Sequence, residues 1–273
     1  MLPTLSIFFI FAYAITWTLF IAVATTVPAS TPLGYMLILL GAFSPAITAL
    51  SLTAWKEGGA GVEALLRRIL IANVPARYYV FAISYIATIK VTAALLHRVL
   101  LGAWPRFGTE SLIVIPLAIA ISTPFQAGEE IGWRGYALPR LTERFGLARA
   151  SVLLGAIWAA WHLPQFYIAG ADTYHQSFIV WSMQVVAMSV AFAWLYTRTG
   201  GSLLLVMLLH SAINNSKDIV PSGLSIPPGV FSVQASAVSW LTGLLMWACA
   251  AYLLRQLRPV AALEHAPEQP NRK

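Results

Sequence analysis

Three short stretches of the 273-residue chain carry ionisable or amide side chains inside otherwise apolar sequence: GEEIGWRG at 128–135, WAAWHLP at 158–164 and HSAIN at 210–214. Glu130 and Arg134 stand four apart, so on a helix they share a face and can pair. Glu129 is turned about 100° from Glu130, which leaves the two carboxylates free for different tasks. Arg134 can hold one while the other faces a cavity. Trp158 lies one turn before His162 and can wall its pocket, and Pro164 opens the helix just beyond. His210 and Asn214 again share a face. Singly, each cluster has a bland explanation: a cytoplasmic helix cap and loop, a packed histidine, a His–Asn helix clamp. Together they supply one or two carboxylates, two histidines and an amide, which suits amide hydrolysis. A carboxylate takes a proton from water while His and Asn donate hydrogen bonds to the developing oxyanion.

Other chemistries are less well provided for. Ser202 and Ser211 are available for a serine mechanism, but neither sits in a nucleophile-elbow motif. The single cysteine, Cys249, has no catalytic company in its late apolar stretch and excludes an internal disulfide. One Glu and two His match the two-histidine, one-glutamate zinc set. There is no H-E-x-x-H, however, and each ligand would come from a different helix. The residue types fit zinc-bound water as well as carboxylate-activated water. We prefer the metal-free scheme, with no cofactor and with zinc as the rival, partly on the resemblance given below.

The elements that must position these groups are membrane spans. Apolar residues make up 59% of the chain and charged residues 10%, with a mean hydropathy of +0.74. An ordinary soluble domain is roughly a quarter charged. Soluble enzymes, disulfide scaffolds and disordered chains are therefore excluded. The net charge of +7 is scattered between apolar runs, with no basic face for nucleic acid. We expect an all-α polytopic bundle of about eight transmembrane helices, near 5–27, 33–54, 78–99, 111–137, 149–172, 176–197, 201–216 and 233–254. The stretch 56–77 is expected to be polar and then amphipathic, lying along the interface. Residues 1–257 form a single transmembrane domain, and 258–273 a disordered cytoplasmic tail. Lys90, inside the third span, can snorkel, pair with a carboxylate or line a cavity.

With the N-terminus in the cytoplasm, twelve basic residues fall on inside connections: Lys56, Arg67, Arg68, Arg77, Arg140, Arg144, Arg149, Arg198, Arg255, Arg258, Arg272 and Lys273. Three, Arg98, Arg106 and Lys217, fall outside. This bias predicts that both termini are cytoplasmic. Counted from the cytoplasmic ends, Glu129 lies roughly 12 Å deep and His162 roughly 20 Å. His210 lies about 12 residues from Arg198, at a depth comparable with the other two. Ionisable groups at such depths are costly and usually face a cavity or one another, so three at one level point to one site.

These motifs resemble the CPBP intramembrane proteases, also called the CAAX protease or Abi family. The E-E-x-x-x-R pattern appears as Glu129, Glu130 and Arg134, and F-x-x-x-H as Trp158 to His162 with Trp for Phe. H-x-x-x-N appears as His210 to Asn214. The resemblance covers about 110–216 and implies an eight-span glutamic-type endopeptidase. By it, Glu129 activates water assisted by His162, His210 and Asn214 form the oxyanion hole, and Glu130 with Arg134 supports the site. It also implies a site open to the cytoplasm and a membrane-associated protein or peptide substrate cut near its C-terminus, prenylated CAAX proteins being the eukaryotic client. A non-catalytic membrane scaffold or immunity protein is the alternative from another class, and a proton-coupled transporter a further one. A transporter would show an inverted repeat, and the chain holds no second EExxxR.

Overall fold

A computed structural model describes residues 2–257, with the side chains of residues 2 and 3 left aside. The tail expected to be disordered, 258–273, lies outside the described residues. Among the described residues the chain is all helix and turn, with no strand. Six helical stretches among the described residues are long and apolar enough to cross a membrane: Thr4–Thr25, Pro32–Leu70, Ala76–Leu101, Leu112–Phe145, Phe178–Arg198 and Ala237–Leu257. The chain is thus a multi-pass helical membrane protein. Exposed Ile10, Phe11, Tyr35, Leu40, Leu95 and Leu117 fit that setting, because lipid rather than water solvates such surfaces.

We number the helices α1 (Leu2–Thr25), α2 (Pro32–Arg67), α3 (Ala76–Leu101), α4 (Ile115–Ser122), α5 (Ala127–Glu130), α6 (Leu138–Phe145), α7 (Leu147–Trp161), α8 (Phe178–Arg198), α9 (Leu203–Ser216) and α10 (Ala237–Leu257). The expectation of eight full spans is corrected at two places. The fifth and seventh are α7, of 15 residues, and α9, of 14. Both are shorter than the roughly 20 residues a lone helix needs to span lipid. α7 stops at Trp161 because His162 and Pro164 turn the chain into a 3-10 segment, Leu163–Tyr167. α9 is enclosed by its neighbours, with Leu203, Leu205, Val206 and Leu209 all fully buried.

The expected fourth span is a relay of short helices. A 3-10 turn, Thr123–Gln126, joins α4 to α5, and a π-helical turn, Ile131–Ala137, joins α5 to α6. Pro139 does not end this relay. It sits in the first turn of α6, where a missing N–H costs nothing. α2 is likewise longer than the expected span and runs through KEGGAG with a kink at Gly58 (φ 69°). Pro45 inside α2 removes the N–H that would bond the Gly41 carbonyl, and Thr16 Oγ1 of α1 donates to that carbonyl instead, at 2.7 Å.

Gly128 and Gly132, one turn apart, let the motif relay lie directly on α2. A Cβ on Gly128 would meet the Phe43 ring at 2.7 Å, and one on Gly132 would meet the Pro45 backbone at 2.6 Å.

The helix ends gather on two opposite faces. On the first, Arg68 donates to Gly135 O (3.2 Å) and Tyr196 Oη (2.5 Å), and Arg140 pairs with Glu57 (2.9 Å). There too Arg198 donates to Gln256 O (3.3 Å), and Ser202 donates to Ile71 O (2.6 Å). On the second, Gly108 N donates to Ile219 O (3.1 Å), Leu224 N to His175 O (3.1 Å) and Phe178 N to Val230 O (2.9 Å). α1 runs from the first face, where Phe8 packs on Trp133 and Tyr136, to the second, where Phe20 meets Trp161. Both described chain ends, and the nine described basic residues assigned to the inside, therefore share the first face.

Candidate active site

α5 and the π turn deliver the two glutamates to different environments. Glu130 is fully buried, and its Oε1 and Oε2 accept from Arg134 Nη1 at 2.9 and 3.1 Å. Oε1 also accepts from His210 Nδ1 at 2.7 Å. Arg134 is fully buried too, with its guanidinium carbon 4.1 Å from the ring centres of both Trp158 and Phe192. Its Nε and Nη2 have no hydrogen-bond partner, so the two aromatic faces take the place of acceptors on that side. A buried pair of this kind is stable only while both members are present, since removing one leaves a charge in low dielectric.

Glu129 faces a cavity of about 630 Å³ lined also by Trp158, His162, His210 and Asn214. Its Oε2 accepts from Trp158 Nε1 at 2.7 Å and lies 3.9 Å from His162 Nε2. The latter is beyond direct hydrogen-bond range. His162 Nδ1 lies 2.8 Å from the Trp158 carbonyl. A carbonyl only accepts, so Nδ1 carries the proton and the neutral ring turns the lone pair of Nε2 toward Glu129. Trp161 and Trp181 hold the ring edge-on, with centroids 4.7 and 5.1 Å away. Trp161 is itself tied to α1, its Nε1 donating to Ala12 O at 3.2 Å and its carbonyl accepting from Trp17 Nε1 at 3.1 Å.

The expected His210–Asn214 clamp is not formed. His210 Nδ1 is turned to Glu130, while Asn214 is exposed at the cavity edge with no side-chain hydrogen bond among the described residues. Its neighbour Asn215, absent from the sequence reading, does the structural work. Asn215 Nδ2 donates to Ser122 Oγ and Ser211 O, both at 2.8 Å, and Ser122 bonds Ser211 Oγ at 2.6 Å. Ser211 also donates to Ile119 O (2.8 Å), and Ser202 caps α9, so both serines serve helix packing. Phe192 was missed as well. It lies in an unbroken apolar run, where nothing in residue type separates a wall of the site from a lipid-facing side chain. Among the described residues no three His, Cys, Asp or Glu groups converge as a metal-ligand set. Glu129, His162 and His210, the zinc set considered from the sequence, do not form such a group; His210 directs Nδ1 to Glu130 and leaves Nε2 for the cavity.

The direction of the opening corrects another expectation. The cavity reaches the surface among Ala29, Gly170, Ala171, Asp172 and Lys217, all on the second face. Toward the first face it is stopped by the fully buried Phe8, Trp133, Tyr136 and Leu138. The described chain ends and the mouth therefore lie on opposite faces, so chain ends entering from the cytoplasm and a cytoplasmic opening do not go together. Depth counted from the basic helix ends overlooked that aromatic floor, and placed His162 within a span rather than at the end of a helix.

Comparison with known proteins agrees with the motifs. A family model described as "Type II CAAX prenyl endopeptidase Rce1-like" matches residues 108–216, which include all three motif segments. CAAX prenyl protease 2 of Methanococcus maripaludis is 25% identical over 255 residues, covering 85% of this chain and 92% of the relative. The chain is a CAAX-protease-like membrane protein, related at low identity to CAAX prenyl protease 2.

Proposed function

We propose that this chain is an intramembrane endopeptidase that hydrolyses a peptide bond near the C-terminus of a membrane-associated protein or peptide, using Glu129 to activate water. The observation that carries this reading is the division of labour between adjacent carboxylates. Glu130 is locked between Arg134 and His210, whereas Glu129 faces the cavity beside the lone pair of His162.

In the proposed reaction a water sits between Glu129 and His162 Nε2. Glu129 takes one proton as the water oxygen attacks the scissile carbonyl, and His162 accepts the hydrogen bond of the other. Trp158 Nε1 fixes the carboxylate rotamer. The tetrahedral oxyanion accepts from His210 Nε2 and Asn214 Nδ2. Because His210 Nδ1–H is directed to Glu130, donation from Nε2 requires both ring nitrogens to carry protons, and the two glutamates together offset that charge and the one on Arg134. Glu129 then passes its proton to the leaving amine, the C–N bond breaks, and an acid and an amine result. No step is routed through a metal: Glu129 is the base in this reading, and zinc held by the same glutamate and histidines is the rival.

Within this reading α7 and α9 complete an eight-helix domain of residues 1–257 in a cell membrane, and the basic first face is cytoplasmic. The relative's name makes prenylated CAAX-type peptides the first substrates to try.

The test is peptide cleavage by purified protein in liposomes, wild type against Glu129→Gln, with and without a strong zinc chelator. Glu129→Gln should lose activity by about 10³-fold or more with helicity unchanged, and wild-type activity should survive chelation. Loss on chelation that added zinc restores would favour the metalloprotease alternative. A cellular function untouched by Glu129→Gln would favour a non-catalytic scaffold or immunity protein.

A further inference from the structure

A second cavity of about 520 Å³ adjoins the glutamate cavity on the same face. Trp181, Val185 and Met188 of α8, with Ile213 and Lys217 at the end of α9, line both. One layer of side chains thus divides them, and a bound chain could run from one to the other. At the inner end of this second cavity is Lys90, 3% exposed and within the long apolar helix α3. An ammonium has three N–H donors. That of Lys90 donates to the Ser222 hydroxyl, and among the described residues no carboxylate is within ion-pair distance of it, Asp218 acting on it only from farther away. A lysine at membrane depth is costly and ordinarily paired.

The nearby carboxylates are already engaged. Lys217 pairs with Asp172 at 3.0 Å and also contacts Asp218. Burial opposes the charge on Lys217, but the two aspartates outweigh it and hold the ammonium above its ordinary range. Counting Lys90, Lys217 and Arg106 against Asp172 and Asp218, the lining carries one positive charge in excess. The rest of the lining mixes polar side chains, among them Gln184, Ser222 and Thr242, with an apolar portion formed by Ile86, Val185, Met188 and Met246. A buried cation in a pocket with an apolar portion beside polar groups suits a small anion attached to an apolar side chain.

We propose that this cavity is the subsite for the free α-carboxylate and apolar last residue of the substrate, with Lys90 Nζ as the anchor. The subsite rests on the peptidase reading of the adjoining cavity. It adds a reason for cleavage near a C-terminus: a carboxylate held at Lys90 fixes how many residues lie between it and Glu129.

Peptides identical except for a free acid or an amide at the C-terminus test this on wild type, Lys90→Met and Lys90→Arg in liposomes. One charge-assisted hydrogen bond should give wild type a preference for the acid of about tenfold or more in kcat/KM. That preference should fall to within about twofold in Lys90→Met and largely return in Lys90→Arg. Equal handling of acid and amide by wild type overturns the subsite even if Lys90→Met does not fold, and so does a preference that survives in Lys90→Met. Binding of the same peptides to Glu129→Gln, read by Trp fluorescence, keeps the two readings separate. Acid-selective binding without any turnover in wild type sustains the subsite and defeats the peptidase. Binding with no acid preference defeats the subsite. Dodecanoate competing as well as the peptide acid would assign the cavity to a lipid and also overturn it.

Discussion

At the scale of single residues, function turns on which polar groups are committed and which are left open. Glu130 accepts hydrogen bonds from both Arg134 and His210 in the interior, and the spacing of Glu130 and Arg134 made half of that pairing legible in the sequence. The other half was not legible, because His210 comes from a helix eighty residues away and its spacing suggested Asn214 as partner. Asn214 is the informative position. Being exposed and without a side-chain hydrogen bond among the described residues, it contributes little to folding, so Asn214→Ala should leave the melting temperature within about 1 °C of wild type, as surface changes usually do. If it donates to the oxyanion, the same change should lower kcat by about 10²-fold with KM little altered. Equal falls in melting temperature and activity would show instead a structural role, and unchanged kcat would remove Asn214 from the oxyanion hole.

At the scale of elements, the question is how EEIGWRG comes to face inward. The apolar pattern around 111–137 revealed a helical crossing, but not that it is assembled from 3-10, α and π turns. No residue pattern announces an i→i+5 turn, and such turns are found chiefly at functional sites. Here the π turn carries Trp133, Arg134 and Tyr136 together into the core. What the sequence did contain, unread, was Gly128 and Gly132, whose missing side chains permit close approach to α2. A methyl on Gly132 would press on the Pro45 backbone, and a proline in mid-helix has little freedom to retreat. Gly132→Ala should therefore destabilise the protein by about 1–3 kcal/mol through overpacking. Gly59→Ala, where a Cβ meets nothing within 4 Å, serves as the control and should not. Thermal unfolding in detergent compares the two. A Gly132→Ala protein as stable as the control would mean that the α2 contact yields easily, and that the glycine is not what seats the motif.

At the scale of the whole molecule, charge and cavity address different sides of the membrane. The first face gathers the basic helix ends and both described chain ends, and we propose from the usual bias of basic residues that it is the cytoplasmic one. The glutamate cavity and the Lys90 cavity both open on the second face, around 170–176 and 217–225. With that orientation a substrate reaches Glu129 from the extracytoplasmic leaflet, which fits an exported or inserted peptide and not a cytosolic prenylated protein. Impermeant maleimide labelling of intact cells discriminates, in a Cys249→Ala background. Ile226→Cys, at an 80% exposed position of the second face, should label before permeabilisation. Arg144→Cys, exposed on the first face, should label only after it. The reverse pattern would mean that the basic residues do not set the orientation of this bundle. The mouth would then be cytoplasmic, and a CAAX-type client would regain access to Glu129 with no change in the chemistry proposed for it.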